Sequence, residues 1–73
     1  MSFLNLNVGV VPGSDINDVF AEAAKLAEHL GLAWVNFNFN GDSCTAYSNG
    51  RGHVYRSGHT IASWTGKGGI QWQ

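Results

Sequence analysis

Val35-Asn36-Phe37-Asn38-Phe39-Asn40-Gly41-Asp42-Ser43-Cys44-Thr45-Ala46-Tyr47 is the stretch on which the fold turns. From Val35 to Asn40 apolar residues alternate strictly with asparagine. That period of two marks a β-strand with one buried and one polar face. Asn40-Gly41 is a strong hairpin signal, because a type I′ turn needs positive φ at both central residues. The spacing predicts strands over residues 33–40 and 43–48. Taking the loop as Asn40-Gly41 or as Gly41-Asp42 moves the register by two. Both choices put Cys44 and Ala46 on the face of Phe37 and Phe39, with Thr45 and Tyr47 on the face of Asn36 and Asn38.

Upstream, Leu4-Asn5-Leu6-Asn7-Val8 repeats the alternation, and residues 3–11 read as a first strand. Pro12-Gly13 ends it. Ser14 or Asp15 can cap a helix, and Asp15 and Asp18 suit its positive end. Ile16, Val19, Phe20, Ala23, Ala27 and Leu30 then form a stripe at helical spacing. Gly31 stops the helix, and Leu32 is placed to pack back on it.

Downstream, Asn49-Gly50, Ser57-Gly58 and Gly66-Lys67-Gly68-Gly69 continue the turn signals at a regular spacing. Such spacing predicts a meander, with strands over residues 53–57, 60–65 and 69–73. A two-residue loop at Asn49-Gly50 would turn Val54 outward and Tyr55 inward. A loop one residue longer, or a bulge, reverses this, so an irregularity is expected between Ser48 and His53. The fold class is α+β in two layers. It has an antiparallel sheet of about four to six short strands, one helix on one face, and the order β-α-β-β-β-β.

The chain has 73 residues, which makes one domain, residues 1–73. Single cores of this size supply only about 3–5 kcal/mol. Cys44 is the one cysteine, so no intrachain disulfide can help, and a lone thiol fits a reducing compartment. No apolar run reaches membrane-spanning length, and the start lacks the features of a signal peptide. A soluble, cytoplasmic protein with no membrane contact is expected. A thin core without staples, together with three Trp, four Phe and two Tyr, predicts a homo-oligomer, most simply a dimer.

All five acids fall within the first 42 residues, opposed only by Lys25, whereas Arg51, Arg56 and Lys67 follow with no acid. Such asymmetry marks either an anion-binding face or opposite surfaces of one nearly neutral particle. In the same half an aromatic–glycine–base pattern occurs at Tyr47, at Tyr55 and at Trp64. Rings, cations and flexible turns suit a nucleic acid or a small nucleotide. The candidate anion site is Arg51, Arg56 and Lys67, with Tyr47, Tyr55 and Trp64 as stacking partners. Hairpin turns alone would also account for these glycines.

A second surface is the asparagine face. Asparagine is a poor strand former, so several together call for a reason beyond polarity. Asn5, Asn7, Trp34, Asn36, Asn38 and Tyr47 are its candidate interface residues, an aromatic and neutral polar mix typical of protein contacts. Cys44, His53 and His59 have no zinc spacing, and Cys44 is expected under the helix as an inert small hydrophobe. No catalytic residue, metal or cofactor is therefore assigned. Trp64-Thr65-Gly66-Lys67-Gly68 resembles a Trp-Asn-Gly-Lys-Gly segment of small phage proteins that sequester signalling nucleotides. The likeness covers those five residues of 73, at the other end of the chain, and assigns no family. The expectation is a non-enzymatic binding or inhibitor protein of the phage or mobile-element accessory type, for example an inhibitor of a host defence system. It would act by docking on a macromolecular partner, most simply a protein. The alternative is a binder of nucleic acid or a small nucleotide.

Overall fold

The computed structural model describes the backbone of residues 4–5 and 9–10 and all of residues 13–73. Strands β1 (Leu4–Asn5) and β2 (Gly9–Val10) pair with each other, Leu4 opposite Val10. Helix α1 follows over Ile16–Leu30. Then come β3 (Trp34–Phe39), β4 (Asp42–Tyr47), β5 (Arg51–Arg56), β6 (His59–Thr65) and β7 (Gly69–Trp72). These five form one antiparallel sheet in sequence order, with α1 packed on one face. The fold is thus α+β, with a helix on an antiparallel meander. No described helix is long and apolar enough to cross a membrane.

One expectation at the N-terminus is corrected. Residues 3–11 do not run as a single strand of the main sheet, because the chain reverses between Asn5 and Gly9 and forms a separate two-stranded ribbon. Alternation fixes which residues share a face but not which strand is the partner. Gly9 also interrupts the run at a position where a strand is easily weakened. Asn7 lies outside the described residues.

The helix ends obey local chemistry. Asp15 is the N-cap and accepts a 2.8 Å bond from the Asn17 backbone N–H, so the cap is Asp15 and not Ser14. Gly31 takes the left-handed conformation with φ 71°, and the Gly31 and Leu32 N–H groups donate to the Glu28 and Ala27 carbonyls. That is a Schellman closure. The apolar stripe loses its cover after Ala27: Leu30 and Leu32 stay exposed, contrary to their expected packing.

Turn chemistry sets the sheet register. Asn40 and Gly41 have φ of 51° and 84°, and Phe39 pairs with Asp42, so the two-residue loop is Asn40-Gly41. Ser57-Gly58 repeats the device between Arg56 and His59. Between β4 and β5 the loop is one residue longer, Ser48-Asn49-Gly50, because Tyr47 pairs with Arg51. That extra residue turns Val54 inward and Tyr55 outward, as the required irregularity predicted. A register shift opposite Val54 and Tyr55 leaves Ile61 as an extra residue in β6.

The core fills the space between α1 and the sheet. Phe20 is fully buried, stacks on Trp64 at 5.3 Å and meets Phe37 edge-on at 5.0 Å. Small residues make room: Cys44, Ala46 and Ala62 line the sheet, and Gly52 lies beneath the Phe20 ring. A Cβ at Gly52 would stand 2.5 Å from a Phe20 ring carbon. The far edge is tied down by the Asn17 side chain, whose Oδ1 accepts a 2.7 Å bond from the Ile70 N–H.

Candidate functional site

The registers define which side chains share the face away from α1. Across the sheet, one row reads Trp34, Tyr47, Arg51 and Thr65. The next reads Asn36, Thr45, His53, Ser63 and Gln71. A third reads Asn38, Ser43, Tyr55 and Thr60. Trp34 is 52% exposed, and Asn36, Asn38, Ser43, Arg51, Thr65 and Gln71 are exposed as well. None of these outward positions carries an acid or an aliphatic side chain.

The two candidate sets of the sequence partly merge here. Tyr47, Arg51 and Tyr55 share this face with Trp34, Asn36 and Asn38. Lys67 sits in the loop from β6 to β7 and is exposed. The Gly66 N–H donates to the Gly50 carbonyl at 2.9 Å, so this loop is held against the one that leads into Arg51. Arg51 and Lys67 therefore stand at the same end of the sheet.

Three candidates fall elsewhere. Trp64 is only 4% exposed and is stacked on Phe20 under the helix, so its ring cannot stack on a ligand. Arg56 lies at the opposite end of β5 and is already paired. Its Nε and Nη2 donate to the two carboxylate oxygens of Asp42, both at 2.9 Å. This bidentate geometry holds the Asp42 carboxyl below the usual carboxylate range and raises Arg56. Asn5 is on the separate ribbon, not in hydrogen-bonded register with Asn36 and Asn38.

His53 is the residue that sequence reasoning left off this face. It occupies the middle of the middle row, with the Tyr47 ring 5.9 Å away and the Tyr55 ring 6.0 Å away. Its Nδ1 is buried and has no hydrogen-bond partner among the described residues. Burial, followed by the charge and hydrogen bonding of the nearby Tyr47 phenol, raises the Tyr55 hydroxyl pKa. The signal for His53 was the loop length after Tyr47, which alone decides which way β5 faces. Across the sheet, Cys44 is fully buried on the helix side. Burial, with the Asp42 charge behind it, pushes its thiol up to about 11. Cys44 and His53 thus lie on opposite faces and cannot act as a nucleophile pair. No cluster of three metal-ligating side chains occurs among the described residues.

Comparison with known proteins gives no matching family model, no matching curated protein and no matching solved structure.

Proposed function

We propose that this chain is a non-enzymatic binding protein that docks the outward face of its sheet on a macromolecule. The observation that carries the reading is the asymmetry between the two sheet faces. The helix face is filled and closed by Phe20 and Trp64. The other presents Trp34, Tyr47, His53 and Tyr55 among amides and hydroxyls, with Trp34 half out in solvent. Exposed rings set in neutral polar surroundings are a common feature of recognition surfaces. A face that needed only solubility would do better with threonine than with asparagine in a strand. Association of this kind fits an accessory or inhibitor protein that works by covering a partner's surface, and it allows a second copy as one partner.

The test is a paired substitution. Trp34→Ser with Asn36→Ser and Asn38→Ser should abolish association measured by sedimentation and light scattering. Glu28→Ala with Lys25→Ala on α1 should leave it intact. If the chain self-associates, equal association of the two variants would remove the outward face as the contact between copies.

A further inference from the structure

We infer that the occupant of the outward face is a single strand of nucleic acid, an inference that rests on the docking reading above. Three features of the face converge on it.

The first is charge. Every described acid lies off this face: Asp15, Asp18, Glu22 and Glu28 on or beside α1, and Asp42 on the helix side, where it is buried against Arg56. Arg51 and Lys67 stand together at one end of the sheet, and Arg51 has no carboxylate in its row. A polyanion thus meets two cations and no repulsion, although the chain as a whole carries a net charge of −1.

The second is the kind of apolar surface. Rings among neutral polar groups also occur at protein interfaces, so what matters here is how the rings are spaced and what lies between them. Here the apolar groups in the outward rows are rings: Trp34, Tyr47, His53 and Tyr55. Rings serve bases particularly well, since every base has a π-face, and a sheet of four or five strands presents room for about two or three stacked bases. Successive rows stand two residues apart along the strands, about 7 Å. Tyr47, His53 and Tyr55 therefore step along the sheet from the Arg51 end toward the Asn38 end.

The third is hydrogen-bonding capacity between the rings. Asn36, Asn38, Ser43, Ser63, Thr65 and Gln71 offer donors and acceptors that suit base edges. The His53 ring lies at the centre of this field, between Tyr47 and Tyr55. Two cations are too few to hold a duplex backbone, whereas a single strand bound chiefly by stacking needs few phosphate contacts.

The probe is a fluorescently labelled 15-nucleotide single strand, one of DNA and one of RNA, titrated with the intact chain and followed by anisotropy and tryptophan quenching. The expected affinity is about 1–100 µM at low salt, with a log–log salt slope of about −1.4 for two phosphate contacts. Arg51→Gln should shrink that slope by about half. Tyr47→Leu and Tyr55→Leu should each weaken binding about tenfold, whereas Tyr47→Phe and Tyr55→Phe keep the ring and keep affinity. Thermal melts confirm that each variant is folded. A difference between the DNA and RNA arms assigns a role to the 2′-hydroxyl.

Absence of binding to either strand at low salt would overturn the inference. So would binding that both leucine variants leave unchanged, which would place the nucleic acid away from this face and leave the docking reading to its own test. If neither strand binds but Trp34→Ser with Asn36→Ser and Asn38→Ser dissociates a dimer in sedimentation, the face docks protein and only the nucleic-acid inference falls.

Discussion

The two faces of the five-stranded sheet are made from the same strands, yet different demands shape them. Toward α1, side chains are chosen by volume. Ala46, Gly52 and Ala62 shrink so that Phe20 and Trp64 can lie in parallel above them. Away from α1, volume has no such control. Asn36, Asn38 and Ser43 stand in solvent, and Thr45 donates a 2.8 Å hydrogen bond across to Asn36. One face is therefore intolerant of change and carries the stability. The other tolerates change in stability and is free to carry recognition.

The largest effect should come from the packed face. Phe20→Ala removes the ring that touches both Phe37 and Trp64 and should cost roughly 3–5 kcal/mol. That matches the whole stability expected of so small a core. Urea denaturation should find the variant largely unfolded at 25 °C. A cooperative melt close to the parent's would show that the helix face is not what holds the sheet.

Next comes the opposite error, adding a methyl group. Gly52→Ala brings a Cβ to 2.5 Å from Phe20 and 2.7 Å from the Thr45 carbonyl oxygen, so neighbours must move. Overpacking of this kind costs about 1–3 kcal/mol. Combining it with Phe20→Leu should cost less than the two changes added separately, because they relieve one another. Strict additivity in denaturation would break the claim that ring and glycine share one space.

Smaller effects follow from the shifted Asp42 and Cys44 on the helix side of the sheet. Arg56 holds Asp42 below its ordinary pKa, so the pair stabilises the fold above the usual carboxylate range near pH 3.9. That stabilisation is lost as pH falls through the depressed value. Asp42→Asn should flatten the acid limb of a stability–pH curve, modestly, because the Arg56 side chain is 63% exposed. Cys44 has the opposite sign. Its thiol is raised to about 11, so stability is kept below the ordinary thiol pKa near 9.0 and lost as pH climbs toward 11. Cys44→Ala should therefore lose less stability between pH 8 and 10.5 than the parent does, and a native thiol titration should be slow at pH 7.

The smallest effect belongs to the outward face and sharpens the comparison most. Asn38→Thr replaces a poor strand former with a good one and should change stability by no more than about 0.5 kcal/mol, upward. The same change should weaken association. A gain in both properties would show that the asparagines are there for solvation alone.

How far the sequence was legible follows from the range of the determining contact. Asp15, Gly31 and Asn40-Gly41 are local signals, and the helix and the first hairpin followed from them. The face of Cys44 was readable because both permitted registers agreed. Trp64 was misplaced because β6 contains the extra residue Ile61, which shifts the phase of alternation midway along the strand. Arg56 could be matched to Asp42 only once the three-residue loop at residues 48–50 was known, since that loop aligns positions 14 apart. His53 was within reach, because the irregularity expected before it turned Tyr55 outward and His53 lies two residues earlier on the same face. At the N-terminus Leu4–Asn5 and Gly9–Val10 are strands, but no local pattern says that they pair with each other.

The meander joins each strand to its sequence neighbour through loops of two or three residues, while the ring that closes the core under α1 sits in the second-last strand. Hairpins with such short loops close quickly, and their low contact order favours fast folding of the sheet. During synthesis, however, α1 emerges before every strand of the sheet that covers it, and only part of its stripe is covered by β3 to β5. The cover over Phe20 therefore stays incomplete until Trp64 has been made. A chain stopped after Ser57 should show no stable helix by circular dichroism, and a native-like helical signal from it would contradict this order of events.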